Sequence, residues 1–185
     1  MAEHVCPFWV GYLLLSPVRK LITNPDRILR PYVKPGMKVL DAGTAMGFFS
    51  LPLARLVGRS GHVVCVDLQE KMIASLKKRA VRGGLEARME FRVCTPESLA
   101  IDDLTGTLDF ALAIAVVHEA PDARQFLTGI FNALKKGGSL LFSEPAGHVS
   151  RDGFAASLSL ARAVGFEVRD TRKIFRSHST LLVHP

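Results

Sequence analysis

Residues 39–54 read VLDAGTAMGFFSLPLA. A short apolar run, Val39–Leu40, meets an acid at Asp41. Two glycines follow, Gly43 and Gly47, and then a stretch carrying Leu51, Leu53 and Ala54. That is the order of a buried strand, a glycine turn and the start of a helix. Glycines there let backbone amides come close to a ligand and let the chain adopt conformations other residues resist. In an open α/β sheet, ligands bind outside the carboxyl ends of the strands, near such a turn. The place between the two glycines where a middle glycine is expected holds Ala45. One extra methyl group is accommodated if φ is negative there and strained if it is not.

The rest of the chain repeats this rhythm. Strands are expected at Lys38–Ala42, His62–Asp67, Met89–Cys94, Leu108–Ala115 and Ser139–Glu144. Helices are expected at Phe48–Val57, Glu70–Arg82, Ala123–Lys135 and Arg151–Ala163, mostly closed by glycine at Gly58, Gly83-Gly84, Gly137-Gly138 and Gly165. Strands alternating with helices imply a parallel sheet with right-handed crossovers. After Gly165 the rhythm changes: Phe166–Ile174 and Thr180–His184 flank a polar turn over Arg176–Ser179 and read as a closing antiparallel hairpin. Asn24-Pro25-Asp26 opens a short helix, with an asparagine cap and proline in the first turn.

Composition sets the bounds. At 185 residues, with 48% hydrophobic and 22% charged, the chain reads as one globular domain over residues 1–185. Residues 1–35 read as an N-terminal helical cap. Its Phe8, Trp9, Tyr12 and Leu13–Leu15 would lie over the sheet edge or a ligand. No apolar run reaches the length of a membrane span, and the N-terminus is a poor secretory signal. Three scattered cysteines, Cys6, Cys65 and Cys94, form no metal or redox spacing. No two histidines have metal spacing, so no metal is expected, and a reduced, cytoplasmic setting is the simplest reading. The net charge of +7 permits an acidic partner. Yet its basic residues are spread over several helices, as at Lys71, Lys77, Lys78, Arg79 and Arg82, with one local cluster in Arg169–Arg176. Charge alone would suggest an enzyme acting on RNA, but no aromatic-basic stripe marks a nucleic-acid platform.

The second strand ends at Asp67, where a carboxylate can accept hydrogen bonds from two adjacent ribose hydroxyls. A plain βα turn with an acidic helix cap would use the same residues. A dinucleotide would need G-x-G-x-x-G and a pyrophosphate seat. Gly43-Thr44-Ala45-Met46-Gly47 lacks the second glycine and the spacing, and Asp41 would repel phosphate. A ligand with a ribose, an ammonium group and no phosphate suits this turn better.

With these residues in hand, the chain from Pro25 onward resembles the class I S-adenosylmethionine-dependent methyltransferases. Within them it is most similar to the small type 11 group that includes ubiquinone-menaquinone C-methylases and arsenite methylases. That resemblance implies a Rossmann-like, seven-stranded, mostly parallel sheet with helices on both faces and a C-terminal antiparallel hairpin. It implies S-adenosylmethionine as cofactor and S-adenosylhomocysteine as product. Asp41, Gly43, Thr44, Ala45 and Gly47 match the first motif, with Ala45 as the departure. Asp67 matches the ribose acid, and Leu68 the residue that packs on adenine. RVCTPESL (92–99) resembles the third-strand motif, with Thr95 where the family often has aspartate. LDFALAIAVVHEAPD (108–122) resembles the fourth, with Ala113 and Ala115 near the methionine part, and ALKKGGSLLFSEP (133–145) resembles the fifth.

Methyl transfer needs a base only if the nucleophile must lose a proton. His118, after the fourth strand, is a candidate base or a residue that only orders its loop. Glu144, at the end of the fifth, could meet a cationic or hydroxyl-bearing substrate or hydrogen-bond a loop. His148 is a second base candidate. His4, His62, His178 and His184 read as surface or strand-end residues. Cys6 would matter for a soft metalloid acceptor, and a small buried hydrophobe is its simpler role. AVVHEA (115–120) is unlike the motif for methylating amide or base nitrogens. The leading expectation is methyl transfer to a small, apolar acceptor. Its alternative is a non-catalytic S-adenosylmethionine-binding module that serves a partner protein. A nicotinamide-dependent oxidoreductase is the third reading. The acceptor and the oligomeric state are left open.

Overall fold

The computed structural model describes residues 23–171 and 174–185. The apolar part of the expected N-terminal cap, including Cys6 and Phe8–Leu15, and the cations Arg172 and Lys173 lie outside the described residues. The visible start is helix α1 (Pro25–Leu29), where Asn24 Oδ1 accepts from the Arg27 amide at 3.1 Å, as the cap residues imply.

Seven strands follow: β1 (Lys38–Ala42), β2 (His62–Asp67), β3 (Met89–Val93), β4 (Leu108–Ile114), β5 (Leu134–Pro145), β6 (Glu167–Thr171) and β7 (Ser177–Val183). Helices α2 (Ser50–Leu56), α3 (Glu70–Arg82), α4 (Ala123–Ala133) and α5 (Arg151–Val164) fill four of the five connections among the first six, and β3 passes to β4 through a short turn at Asp102–Leu104. The sheet order is β3-β2-β1-β4-β5-β7-β6. The pairs β3-β2, β2-β1, β1-β4 and β4-β5 are parallel, and β7 runs antiparallel between β5 and β6.

Side chains alternate along each central strand into two cores. Val39, Val63, Cys65, Phe110, Leu112 and Leu141 face one side, under α1, α2 and α3. Leu40, Ala42, Val64, Val66, Ala111, Ala113, Leu140 and Phe142 face the other, under α4 and α5. Burial on both faces is why these strands read as continuous apolar runs rather than alternating ones.

Two sequence expectations need correction. The helix expected to run to Lys135 closes at Ala133, and β5 begins at Leu134, before Gly137-Gly138. Leu134 already pairs with Leu108, with an irregularity before Phe110 pairs with Ser139. In the closing hairpin, Ser177–Ser179 are strand and not turn. Ser179 is buried, and its hydroxyl meets that of Ser143 at 2.7 Å, which satisfies two polar groups inside the sheet.

The five parallel strands all end at one edge, at Ala42, Asp67, Val93, Ile114 and Pro145. The start of β7 meets the same edge through the Ser177–Pro145 pair. That edge gathers nearly every residue the sequence singles out.

Candidate active site

Within this edge, between β2 and β4, lies the turn after β1. The Gly43 and Thr44 amides donate to the Val66 carbonyl at 2.9 and 3.0 Å, and the Gly47 amide to Thr44 at 3.0 Å. The Ala45 amide donates to Asp67 Oδ2 at 2.7 Å. These four amides are satisfied from within the protein, so they form no cradle for a pyrophosphate. Gly43 and Gly47 both have positive φ, at 78° and 87°. A Cβ on Gly43 would lie 2.6 Å from Val116 Cγ2, and one on Gly47 would overlap Leu76. Both places require glycine.

Ala45 also has positive φ, at 45°, so the strained alternative holds. Its left-handed backbone aims its amide at Asp67. Three of the four non-glycine residues with positive φ among the described ones, Ala45, Ala115 and Arg176, sit at this sheet edge. Such strain persists where the surrounding structure over-determines it, and it gathers at functional sites.

Asp67 holds the turn to β2. Its other oxygen accepts from the Gln69 amide at 2.9 Å. Burial raises its pKa, opposed by the two amide bonds. An ionised carboxylate has about four acceptor positions, so two amides leave room for a ribose diol. Beside it, Leu68 and Val93 are 36% and 47% exposed, an apolar wall of the sort an adenine ring covers. Thr95 is exposed, with its backbone paired to Ser98. Ala113 is fully buried in the core.

Asp41 is buried beneath the turn. Ser50 Oγ donates to its carboxylate at 2.5 Å, and Thr44 Oγ1 bonds Ser50 in turn. Burial pushes its pKa up to about 6; the Ser50 and Thr44 hydroxyls oppose this, and the charge of Asp67 adds to it. A ligand cation placed above the turn would favour its ionised form. Together, the carboxylates, apolar wall and phosphate-free turn fit S-adenosylmethionine.

Beside this turn, after β4, Val116 packs on Gly43, and the chain then turns at Val117–Glu119. Here the sequence candidates His118, Glu144 and His148 meet. Glu144 is 1% exposed. Its Oε1 accepts from the His118 amide at 3.1 Å, and its Oε2 lies 2.6 Å from His118 Nδ1. The hydrogen bond to Glu144 raises the His118 pKa above its ordinary value; burial opposes this, and the charges of Glu144 and Glu119 add to it. The His148 ring stands edge-on to that of His118, with centroids 5.7 Å apart.

The sequence did not disclose Ser50 or Val116 as parts of this site. Nothing in a serine at a helix start signals a partner on the preceding strand. The pairing of His118 with Glu144 had a signal, since one follows β4 and the other lies near the end of its neighbour β5. His62 and His184, read as surface or strand-end residues, have contacts of their own: His62 Nε2 lies 3.4 Å from Glu90, and His184 stacks on Phe131 with centroids 4.0 Å apart.

Residues 33–176 match the family described as a methyltransferase domain. The chain belongs to that family. It is an S-adenosylmethionine-dependent methyltransferase domain, and S-adenosylmethionine is its cofactor. The arsenite methyltransferase of Aquipseudomonas alcaligenes is 34% identical over 122 residues, 63% of this chain and 35% of that protein. The ubiquinone/menaquinone biosynthesis C-methyltransferase UbiE of Cronobacter sakazakii is 31% identical over 116 residues, 61% of this chain and 45% of that protein. The chain thus spans less than half the length of these two relatives. A crystal structure of an S-adenosylmethionine-dependent methyltransferase from Aquifex aeolicus superposes with a TM-score of 0.84 at 22% identity, over 97% of this chain and 100% of that one. That likeness confirms the methyltransferase fold.

Two expectations follow from the turn. A left-handed alanine costs roughly 1–2 kcal/mol, and glycine gives back about 0.4–1 kcal/mol through the unfolded chain. Ala45→Gly therefore stabilises the ligand-free domain by about 0.5–1 kcal/mol in urea unfolding. Asp41 has a raised pKa in the folded protein, so its contribution to stability is full below its ordinary 3.8 and is lost as pH rises through about 6. Two pKa units correspond to about 3 kcal/mol. Asp41→Asn is thus more stable than wild type at pH 7 by an amount of that order. The gap closes as pH falls from 7 to 4, as a pH series of thermal melts will show.

Proposed function

We propose that this domain transfers a methyl group from S-adenosylmethionine to a small-molecule acceptor seated over the ends of β4 and β5. The observation that carries this reading is the joining of two sites at one sheet edge. The Asp67-anchored turn and the His118–Glu144 pair are linked by Val116, which packs on Gly43. When bound, the cofactor supplies an electrophilic methyl group on a sulfonium, so the protein's share is position and electrostatics. Asp67 holds the ribose, Leu68 and Val93 flank the adenine, Thr95 lies at its rim, and Asp41 sets a negative potential beneath the turn. Gly43, Thr44, Ala45 and Gly47 fix the turn, and Ala113 supports it from the core.

An apolar acceptor is supported by Phe175, which is 61% exposed. Its neighbour Arg176 accepts through its carbonyl from the Ala146 amide at 2.9 Å, which sets that tip beside the loop bearing His148. The two relatives, an arsenite methyltransferase and a ubiquinone/menaquinone biosynthesis C-methyltransferase, also support a small acceptor. A nucleic acid is disfavoured because the described cations are dispersed. No helix among the described residues is long and apolar enough to cross a membrane, and we place the domain in the cytoplasm. The competing reading is a domain that binds the cofactor without turnover and serves a partner protein. The strained Ala45 is what favours it.

Calorimetric titration of S-adenosylmethionine and S-adenosylhomocysteine into wild type and Asp67→Ala tests the cofactor end. Micromolar binding to wild type, weakened at least tenfold in the variant, is the expected outcome. Absence of binding to wild type would overturn the reading.

A further inference from the structure

We infer that His118 Nε2 takes the acceptor's proton, with Glu144 as its positioning residue, and that the acceptor is a weakly acidic X–H group: a phenol, an enol or a thiol. This rests on the methyl-transfer reading above and narrows it.

The proton inventory of the pair leads there. Glu144 Oε1 accepts from a backbone amide, and an ionised carboxylate only accepts. With Oε2 at 2.6 Å, Nδ1 is therefore the protonated nitrogen of the neutral ring. Its Nε2 then carries the lone pair. A buried carboxylate is costly unless its oxygens are matched. The Glu144 carboxylate meets His118 twice, through its amide and its ring. The amide bond alone would order the loop; the ring bond does something further, since it fixes the tautomer and the tilt of the imidazole. The perpendicular His148 ring packs against it and limits its swing. About a quarter of the His118 side chain is exposed, so the ring is reachable while its carboxylate is not.

The charged and titratable groups around the ring agree. Glu144 comes from β5, Glu119 from its own turn and His148 from the loop after β5, while His178 of β7 stands opposite Glu144 in register. The two carboxylates strengthen the ring as a base. Such a base is matched to acids with ordinary pKa values of about 8.5–10, the range of thiols and phenols. A thioether, a tertiary amine or arsenite offers a lone pair without losing a proton and has no use for it. The step balances simply. The X–H proton moves to Nε2, and the X lone pair bonds the methyl carbon. The carbon–sulfur pair stays on sulfur, and the imidazolium later releases its proton to water.

The experiment uses the full chain, methyl-labelled S-adenosylmethionine and a fixed panel: a phenol, a catechol and a thiol against a thioether, a tertiary amine and arsenite. Label should enter only the first three. His118→Ala and His118→Gln should each lose on the order of 100-fold or more in kcat, with calorimetric cofactor binding unchanged; the glutamine variant keeps an amide for Glu144 and guards against misfolding. Wild-type kcat/KM should rise with pH through a midpoint above 6.5. Glu144→Gln should move that midpoint down, because the ring loses the charge that favours its protonated form, while the cofactor KM stays put. Label entering only the aprotic acceptors, or no protic acceptor in a chain that binds the cofactor, overturns the inference. So does a His118 variant at full rate. Failure of the parent reading looks different: the cofactor does not bind at all.

Discussion

One carboxylate ties this site together. Asp67 ends β2, yet its two oxygens hold the Ala45 amide of the preceding turn and the Gln69 amide that leads into α3. Through them the β1 turn, the β2 edge and the start of a helix become one rigid corner. The left-handed backbone at Ala45 persists because that amide has a charged partner; a charge-assisted bond offsets strain of about its own size. Everything downstream inherits the arrangement. Gly43 is fixed by the turn, Val116 packs on Gly43, and the loop that carries His118 begins at Val116.

The same corner separates the candidate ligands. A dinucleotide site spends free backbone amides on phosphate oxygens. Here the Gly43, Thr44, Ala45 and Gly47 amides are already committed to protein acceptors, and two carboxylates lie close by. The potential beneath the turn is negative and its polar backbone is satisfied. That combination disfavours phosphate and suits a cation attached to a sugar.

Much of this was legible in the residues. β1 and β2 have the bounds read from their apolar runs, because strands buried on both faces leave an unbroken signature. The acids near the ends of β1, β2 and β5 were legible too, and Asp67 and Glu144 accept hydrogen bonds from the turns beside them. What was not legible depends on pairing. Leu134 joins the sheet ahead of two glycines because Leu108 offers it a partner, which no local rule records. Ser177–Ser179 look like a turn, but Ser143 supplies the hydroxyl that lets Ser179 lie buried in a strand. The backbone at Ala45 was open on sequence grounds, since the deciding hydrogen bond comes from a residue far along the chain.

The sheet order carries a consequence for how the protein is made. β6 has β7 as its neighbour in the sheet, and β7 alone joins it to β5. As the chain leaves the ribosome, β6 emerges first and has no edge to join. It must wait, unpaired, until the strand made after it has docked. The helix before it, α5, already contacts α4 and carries Phe154 onto Phe142, so β6 waits tethered beside its final position. β7, made after it, thus fills the place between β5 and the rim strand, and an exposed strand edge is held close to home during the interval when aggregation is most dangerous.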